Sequence, residues 1–304
     1  MAPKRIIDIH SHLGDVTRSR NVIFKQNLTM KEVVDPFAKH DAAGFEGPLI
    51  NDDYDEFVQL VEASEERMSV NSLQNMQKEL DAHNITKVCV YPVLPYTTFE
   101  EHLACSLMDD RIIPFTSVDT SLKEGIAKKL LTDFRKGARG LKLHAILQNM
   151  SLDDPYLLKA LEVWETTGCP VVSHCGVNSY FYGDDLKLNT PELGDVKYFI
   201  ELVRKFPRIT FIAAHAGGLT GGEEYTLKEG LTGLDNVYVD TTFRGTADIK
   251  RLISMFGEDR VLFGIDGPFS SYGASIKAVS AACAGDGKLE NKIFYDNAAR
   301  ILKL

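Results

Sequence analysis

The residues able to do chemistry in this chain sit at the ends of short apolar runs. The first run, Ile6-Ile7-Asp8-Ile9-His10-Ser11-His12, ends in two histidines one residue apart. In an extended strand, residues two apart point to the same side, so the imidazoles of His10 and His12 converge. Converging imidazoles suit zinc or a similar divalent cation. Further runs end on Lys142 and His144, on His174, on His215, on Asp240 and on Asp266, so most of the eight histidines lie at such ends. Asp266 closes the run Val261-Leu262-Phe263-Gly264-Ile265, and a carboxylate buried there needs a cation or several donors. Three histidines and one carboxylate gathered on one axis would make a mononuclear site with room for water.

Eight strand-like segments carry these groups: Arg5–His12, Lys87–Leu94, Ile112–Asp119, Arg139–His144, Pro170–Gly176, Thr210–Gly217, Val237–Phe243 and Val261–Pro268. Most are rich in β-branched or aromatic residues and nearly continuous in apolar character, the mark of strands buried on both faces of a parallel sheet. Between them, Ser121–Lys136, Asp154–Thr167, Asp195–Phe206 and Asp248–Phe256 repeat apolar residues near a 3.6 period and read as helices. A last helix, Asn297–Leu304, is placed to close the bottom of a barrel. Strands alternating with helices in this number predict a (β/α)8 barrel, an α/β fold whose chemistry lies at the C-terminal ends of the strands. The doubly wound open sheet is the rival, and no G-x-G-x-x-G follows the first strand to support it. The stretch Leu13–Thr86 is too long for one βα connection and predicts an insertion over the barrel mouth, with a helix around Asp53–Met68. No linker-like composition appears elsewhere, so residues 1–304 are read as one domain.

With 44% hydrophobic and 25% charged residues, the chain can bury a sizeable core. Its net charge of −9 argues against nucleic acid as a partner. No apolar run approaches the roughly 20 residues of a membrane span. Five cysteines without a C-x-x-C pair suggest buried thiols in a reduced, cytoplasmic setting. The expected partner is a small molecule, with self-association left open.

The ordered set D-I-H-S-H, G-L-K-L-H, V-V-S-H-C-G, A-A-H-A-G-G and L-F-G-I-D-G-P, running from Ile6 to the terminal N-A-A-R-I-L, resembles the amidohydrolase superfamily. It looks most like the branch of TIM-barrel hydrolases and decarboxylases that holds aminocarboxymuconate-semialdehyde decarboxylase. That resemblance implies His10, His12, His174 and Asp266 as ligands to one divalent metal per chain, zinc before manganese. It also implies His215 and Asp266 as the catalytic pair that activates water or protonates substrate. Two features depart from the pattern: Gly267-Pro268 follows Asp266 where many relatives carry a bulky residue, and Lys142 could be a carbamylated bridge between two metals.

Lys142 and His144 point into a barrel together by the period-two rule, and Arg244 follows the seventh strand, so these three are candidate contacts for a carboxylate. Arg18 and Arg20 in the first loop read as solvated. Tyr180, with Phe181 and Tyr182, could wall a pocket for a planar substrate. The reaction expected first is hydrolysis of an amide, lactone or ester bearing a small carboxylate. Non-oxidative decarboxylation of an aromatic or muconate-type acid on the same site is the alternative, and a non-catalytic binder of small carboxylates is the third reading.

Overall fold

The computed structural model describes residues 4–218 and 222–304. Nine short strands run in chain order: β1 (Ile7–Ser11), β2 (Lys87–Val90), β3 (Ile112–Pro114), β4 (Thr116–Ser117), β5 (Leu141–Leu143), β6 (Val171–His174), β7 (Phe211–Ala214), β8 (Val237–Asp240) and β9 (Val261–Leu262). Neighbours pair in parallel, β1-β2-β3 in one set and β4 through β9 in another. The third segment expected from the sequence is thus two strands. Phe115 interrupts it, donating its N–H to Val90, while Thr116 donates to Gly140 across the other edge. One stave therefore joins both sets.

The barrel closes where β1 meets the segment after β9. Ile9 N–H donates to Phe263 O at 2.9 Å, Asp266 N–H to His10 O at 2.7 Å and His12 N–H to Gly267 O at 2.7 Å. A Cβ on Gly267 would stand 2.9 Å from Ser11 Oγ, so any larger residue would push that hydroxyl aside. This accounts for the Gly267-Pro268 departure: the small residue lets the last stave approach the first.

Inside, Ile7, Ile9, Tyr91, Phe115, Val172 and Ile212 pack as one cluster with Ala298, Ile301 and Leu302. The last three belong to the terminal helix Asn297–Leu302, which seals the bottom as expected. Outside, helices α4 (Phe99–Met108), α5 (Ile126–Lys136), α6 (Pro155–Trp164), α7 (Val196–Lys205), α8 (Glu223–Gly230), α9 (Thr246–Phe256) and α10 (Tyr272–Cys283) bury their apolar stripes against the strands. Their starts are chemically marked: a Thr98–Glu101 capping box opens α4, and Asp154 followed by a first-turn proline opens α6. The expected helix Ser121–Lys136 begins five residues late. A 3-10 turn, Thr120–Gly125, contains Lys123 at φ 46°, and α5 starts only at Ile126.

Three helices, α1 (Pro36–Ala42), α2 (Tyr54–Ser69) and α3 (Leu73–Ala82), lie in the insertion between β1 and β2. Asp53 caps α2 by accepting from Glu56 N–H, which fixes the helix expected there. All five cysteines are free, and no described helix is long and apolar enough to cross a membrane.

Gly140 precedes β5 with the Phe115 ring against its Cα, so that a Cβ would sit 1.9 Å from a ring carbon. Gly140→Ala is expected to cost about 1–3 kcal/mol, the usual range for overpacking a core. Adding Phe115→Leu should make the double variant more stable than the two single losses summed. Urea denaturation of the four proteins checks this, and additive losses would show that the ring does not enforce the glycine.

Candidate active site

A bulge in β1 builds the floor of the site. Pairing with β2 shifts register between Asp8 and Ser11. Because of that extra residue, Ile7 and Ile9 face the barrel interior and so do His10 and His12 beyond the bulge. Strict alternation would have grouped Asp8 with the histidines. Instead Asp8 points outward, accepting from Ser11 Oγ at 2.6 Å and from Tyr272 Oη at 2.8 Å. Burial raises its pKa to about 6 against those donors.

Asp240, at the end of β8, organises the imidazoles. Its Oδ2 lies 2.8 Å from His10 Nδ1. Its Oδ1 accepts from His215 N–H at 2.9 Å and from Thr242 Oγ1 at 2.7 Å. A carboxylate only accepts, so His10 carries its proton on Nδ1. Thr242, having given its hydrogen to Asp240, accepts from His215 Nδ1 at 2.8 Å. His12 Nδ1 lies 2.9 Å from the Tyr91 carbonyl, which also only accepts. In all three rings Nε2 is left with a bare lone pair.

Those lone pairs meet Asp266. Its Oδ1 is 3.3 Å from both His10 Nε2 and His12 Nε2, and its Oδ2 is 4.0 Å from His215 Nε2. Oδ1 is buried and receives no hydrogen bond. Lone pairs opposing a carboxylate in a dry site repel unless a cation lies among them, so the donor set fits a divalent ion. Among the described residues, His10, His215 and Asp266 offer ligand atoms that all lie within 4.8 Å of one another. Burial holds His12 below its usual pKa and His215 down at about 3, which keeps both rings in the neutral form that ligates metal. Burial by itself would raise Asp266, yet the imidazoles, led by His10, hold it below the ordinary carboxylate range.

The remaining expected residues divide. Lys142, fully buried at the end of β5, has Nζ 3.4 Å from His10 Nε2, and burial lowers its pKa to about 8. His174 stands apart from the carboxylate. It stacks on His144 at 4.4 Å, and its Nε2 lies 3.2 Å from Gly176 O. Tyr180 reaches both rings, its Oη 3.3 Å from His144 Nε2 and 3.4 Å from His174 Nε2. Arg244 does not line the pocket: its guanidinium is buried and donates to His215 O and Gly218 O, both at 2.6 Å. Those carbonyls belong to a tight turn in which His215 and Ala216 take φ 61° and 49°. Arg244 therefore holds the β7 turn, and in so doing corrects the expectation that it clamps substrate.

Sequence reasoning placed Asp240 at a strand end without giving it a role and left out Thr242, although the period-two pattern of Tyr238, Asp240 and Thr242 could have placed them together. It expected the insertion over the mouth but not which of its residues roof the pocket, namely Phe37 of α1 and Leu60, Val61 and Ser64 of α2. Two cavities of about 60 and 30 Å3 meet at Ser64, His174, Tyr180, His215, Asp266 and Phe269.

A closed parallel barrel with neutral imidazoles and an unsatisfied carboxylate at its C-terminal mouth defines a class of TIM-barrel enzyme. The chain belongs to the amidohydrolase family, whose model matches residues 7–304. No curated protein matches it by sequence. Among solved structures it is similar to a dihydroxybenzoic acid decarboxylase of Polaromonas sp. JS666 with bound manganese and 2-nitroresorcinol, at 16% identity over 99% of this chain and 98% of that one, TM-score 0.68. It is similar to the 5-carboxyvanillate decarboxylase of Sphingomonas paucimobilis, at 14% identity over 99% and 100%, TM-score 0.67. A probable 2-pyrone-4,6-dicarboxylic acid hydrolase of Acinetobacter baumannii, with citric acid bound, shares 13% identity over 98% and 99%, TM-score 0.63. At these identities the likeness is one of fold.

The two oxygens of Asp266 face different partners, which separates ligand from water-positioning roles. His10→Ala and His12→Ala are expected to empty the site of divalent metal by elemental analysis. His215→Ala, whose ring lies 4.0 Å from Oδ2, farther than His10 and His12 lie from Oδ1, is expected to keep most of it. Loss of metal from His215→Ala equal to that from His10→Ala would make His215 a ligand.

Proposed function

We propose that the protein is a divalent-metal lyase that removes CO2 from a small planar hydroxy acid. The observation that carries this is the pocket's division: aromatic and aliphatic walls above, charge only on the floor. Phe37, Phe243 and Phe269 form one aromatic group, with rings 5.5 to 6.1 Å from Phe37, suited to a flat apolar ring. Decarboxylases among the structural relatives support the same choice. This reverses the order expected from sequence, where hydrolysis came first.

In this reading His10, His12 and Asp266 would hold the ion, and His174, whose Nε2 faces Gly176 O, would have to turn toward Asp266 to be the fourth ligand. Manganese, bound in the Polaromonas relative, is as good a candidate as zinc. A divalent ion there polarises the oxygens of a bound acid. The chain's own groups do the rest. Lys142 Nζ meets the substrate's anionic oxygens from the floor. The proton that the substrate's hydroxyl gives up on binding would pass to Asp266 Oδ2, facing His215 Nε2 at 4.0 Å, and from there to the ring carbon bearing the carboxylate. The C–H bond forms with a π pair of the ring, the C–C bond breaks, and its pair restores the ring as CO2 leaves. The apolar roof keeps water from competing for that proton. Hydrolysis remains the second reading, favoured by the pyrone-dicarboxylate hydrolase among the relatives.

The test is CO2 release from a panel of mono- and dihydroxybenzoates by metal-loaded protein, run beside lactones and amides. CO2 from one of the acids is expected, with no turnover of the others. Asp266→Asn should lower kcat on that acid by at least about a hundredfold, the lower end of general acid–base contributions. Turnover of lactones or amides without CO2 would replace the lyase reading by the hydrolase one.

A further inference from the structure

The pocket has an unusual charge inventory. Among the residues lining its two cavities, Lys142 is the single cation, and it sits at the floor beside the metal-capable cluster. The arginines near the mouth are committed elsewhere. Arg18 bonds Glu65 and Asp185, and Arg20 bonds Glu65 and lies 3.4 Å from Asp15. Arg67 pairs with Asp35 at 2.8 Å and donates to Pro268 O at 2.7 Å. Arg244 lines neither cavity, and its Nη2 donates to the His215 and Gly218 carbonyls. Residues 219–221, Leu-Thr-Gly, carry no charged side chain.

The far end of the pocket is made by Phe37, Leu49, Leu60, Val61, Phe243 and Phe269. The polar groups there are uncharged: Ser64, Asn178, Ser179 and Tyr180. Beyond the roof the rim is acidic. Glu62 lies at hydrogen-bond distance from Tyr182, and the Arg18 and Arg20 charges are already neutralised by Glu65, Asp185 and Asp15. A carboxylate pushed against that roof would lose its water and gain no cation, a cost of several kcal/mol for a buried charge. A hydroxyl or methoxyl in the same place would meet Ser64 or Asn178 at little cost.

We infer that the pocket selects a monocarboxylic acid, with its one carboxylate at the floor, and rejects an acid carrying a second carboxylate on the far side of the ring. The inference rests on the lyase reading for the orientation of the acid, and it names the substrate class within that reading. It separates this chain from the relatives described as acting on 5-carboxyvanillate or 2-pyrone-4,6-dicarboxylate, whose substrates carry two acid groups. The selecting element is the insertion, because Phe37, Leu49, Leu60 and Val61 all come from the stretch between β1 and β2.

The experiment is calorimetric binding, on full-length protein loaded with manganese, of a matched pair: salicylate and 4-hydroxyisophthalate, which is salicylate with a second carboxylate opposite its hydroxyl. Binding is read directly, so no turnover is required. Salicylate is expected to bind at least about tenfold tighter, the minimum for an uncompensated carboxylate. In Leu60→Arg, a half-buried position where a guanidinium can stand in the roof, the gap should narrow by severalfold with the melting temperature little changed. The di-acid binding as tightly as the mono-acid in the native protein would overturn the inference and leave the acid-binding reading intact. Failure of both acids to bind at millimolar concentration would overturn the lyase reading and the inference with it.

Discussion

The structure turns on one seam. Where the last stave returns to the first, Asp266 N–H donates to His10 O at 2.7 Å and His12 N–H to Gly267 O at 2.7 Å. These bonds close the barrel, and they belong to the residues whose side chains form the site. The backbone of Asp266 is pinned to the strand carrying His10 and His12, so its carboxylate can only lie against their rings. Asp266 takes φ 57° to make the turn, a conformation costly for a residue with a Cβ. Closure of the barrel repays that strain, and a site built at the seam is assembled when the fold is.

Electrostatics then follow from burial. The barrel mouth holds Asp240, Asp266 and Lys142 away from water, a cost that pairing must offset. Asp240 is compensated within the protein by donors from His10, His215 and Thr242. Asp266 is not: one of its oxygens is left without a donor. The contrast between two carboxylates on neighbouring staves is the physical distinction between an organising residue and one kept open for a ligand. Rigid imidazoles with fixed tautomers keep the open position precise enough to be used.

Much of this was legible in the sequence. Continuous apolar runs marked the staves, since a parallel barrel buries both faces, and a polar residue ending such a run has nowhere to go except the mouth. The alternation rule paired Lys142 with His144 and His10 with His12 correctly. Applied to Asp8 it would mislead, because a bulge is invisible to a rule that counts residues by two. Arg244 was misread for a different reason. A charge after a strand end can turn outward to the pocket or inward to its own backbone, and the choice depends on the left-handed turn at His215 and Ala216, which nothing in the residue types announces.

The least legible part was the roof, and the reason bears on how such barrels diverge. The ligating residues are tied to strands whose spacing is set by hydrogen bonding, so their pattern survives in sequence. The roof comes from helices α1 and α2, whose pocket-facing side packs over the mouth through Phe37, Ala63 and Phe243, while polar ties such as Arg67 to Pro268 O lie at its edge. Apolar contact tolerates any residue of suitable volume, so those positions leave no motif. They are also the positions that meet the part of a substrate farthest from the reacting bond. Chemistry fixed by the seam and selectivity left to the insertion can therefore change independently, and a fold shared at 13–16% identity with the relatives above need carry no shared substrate.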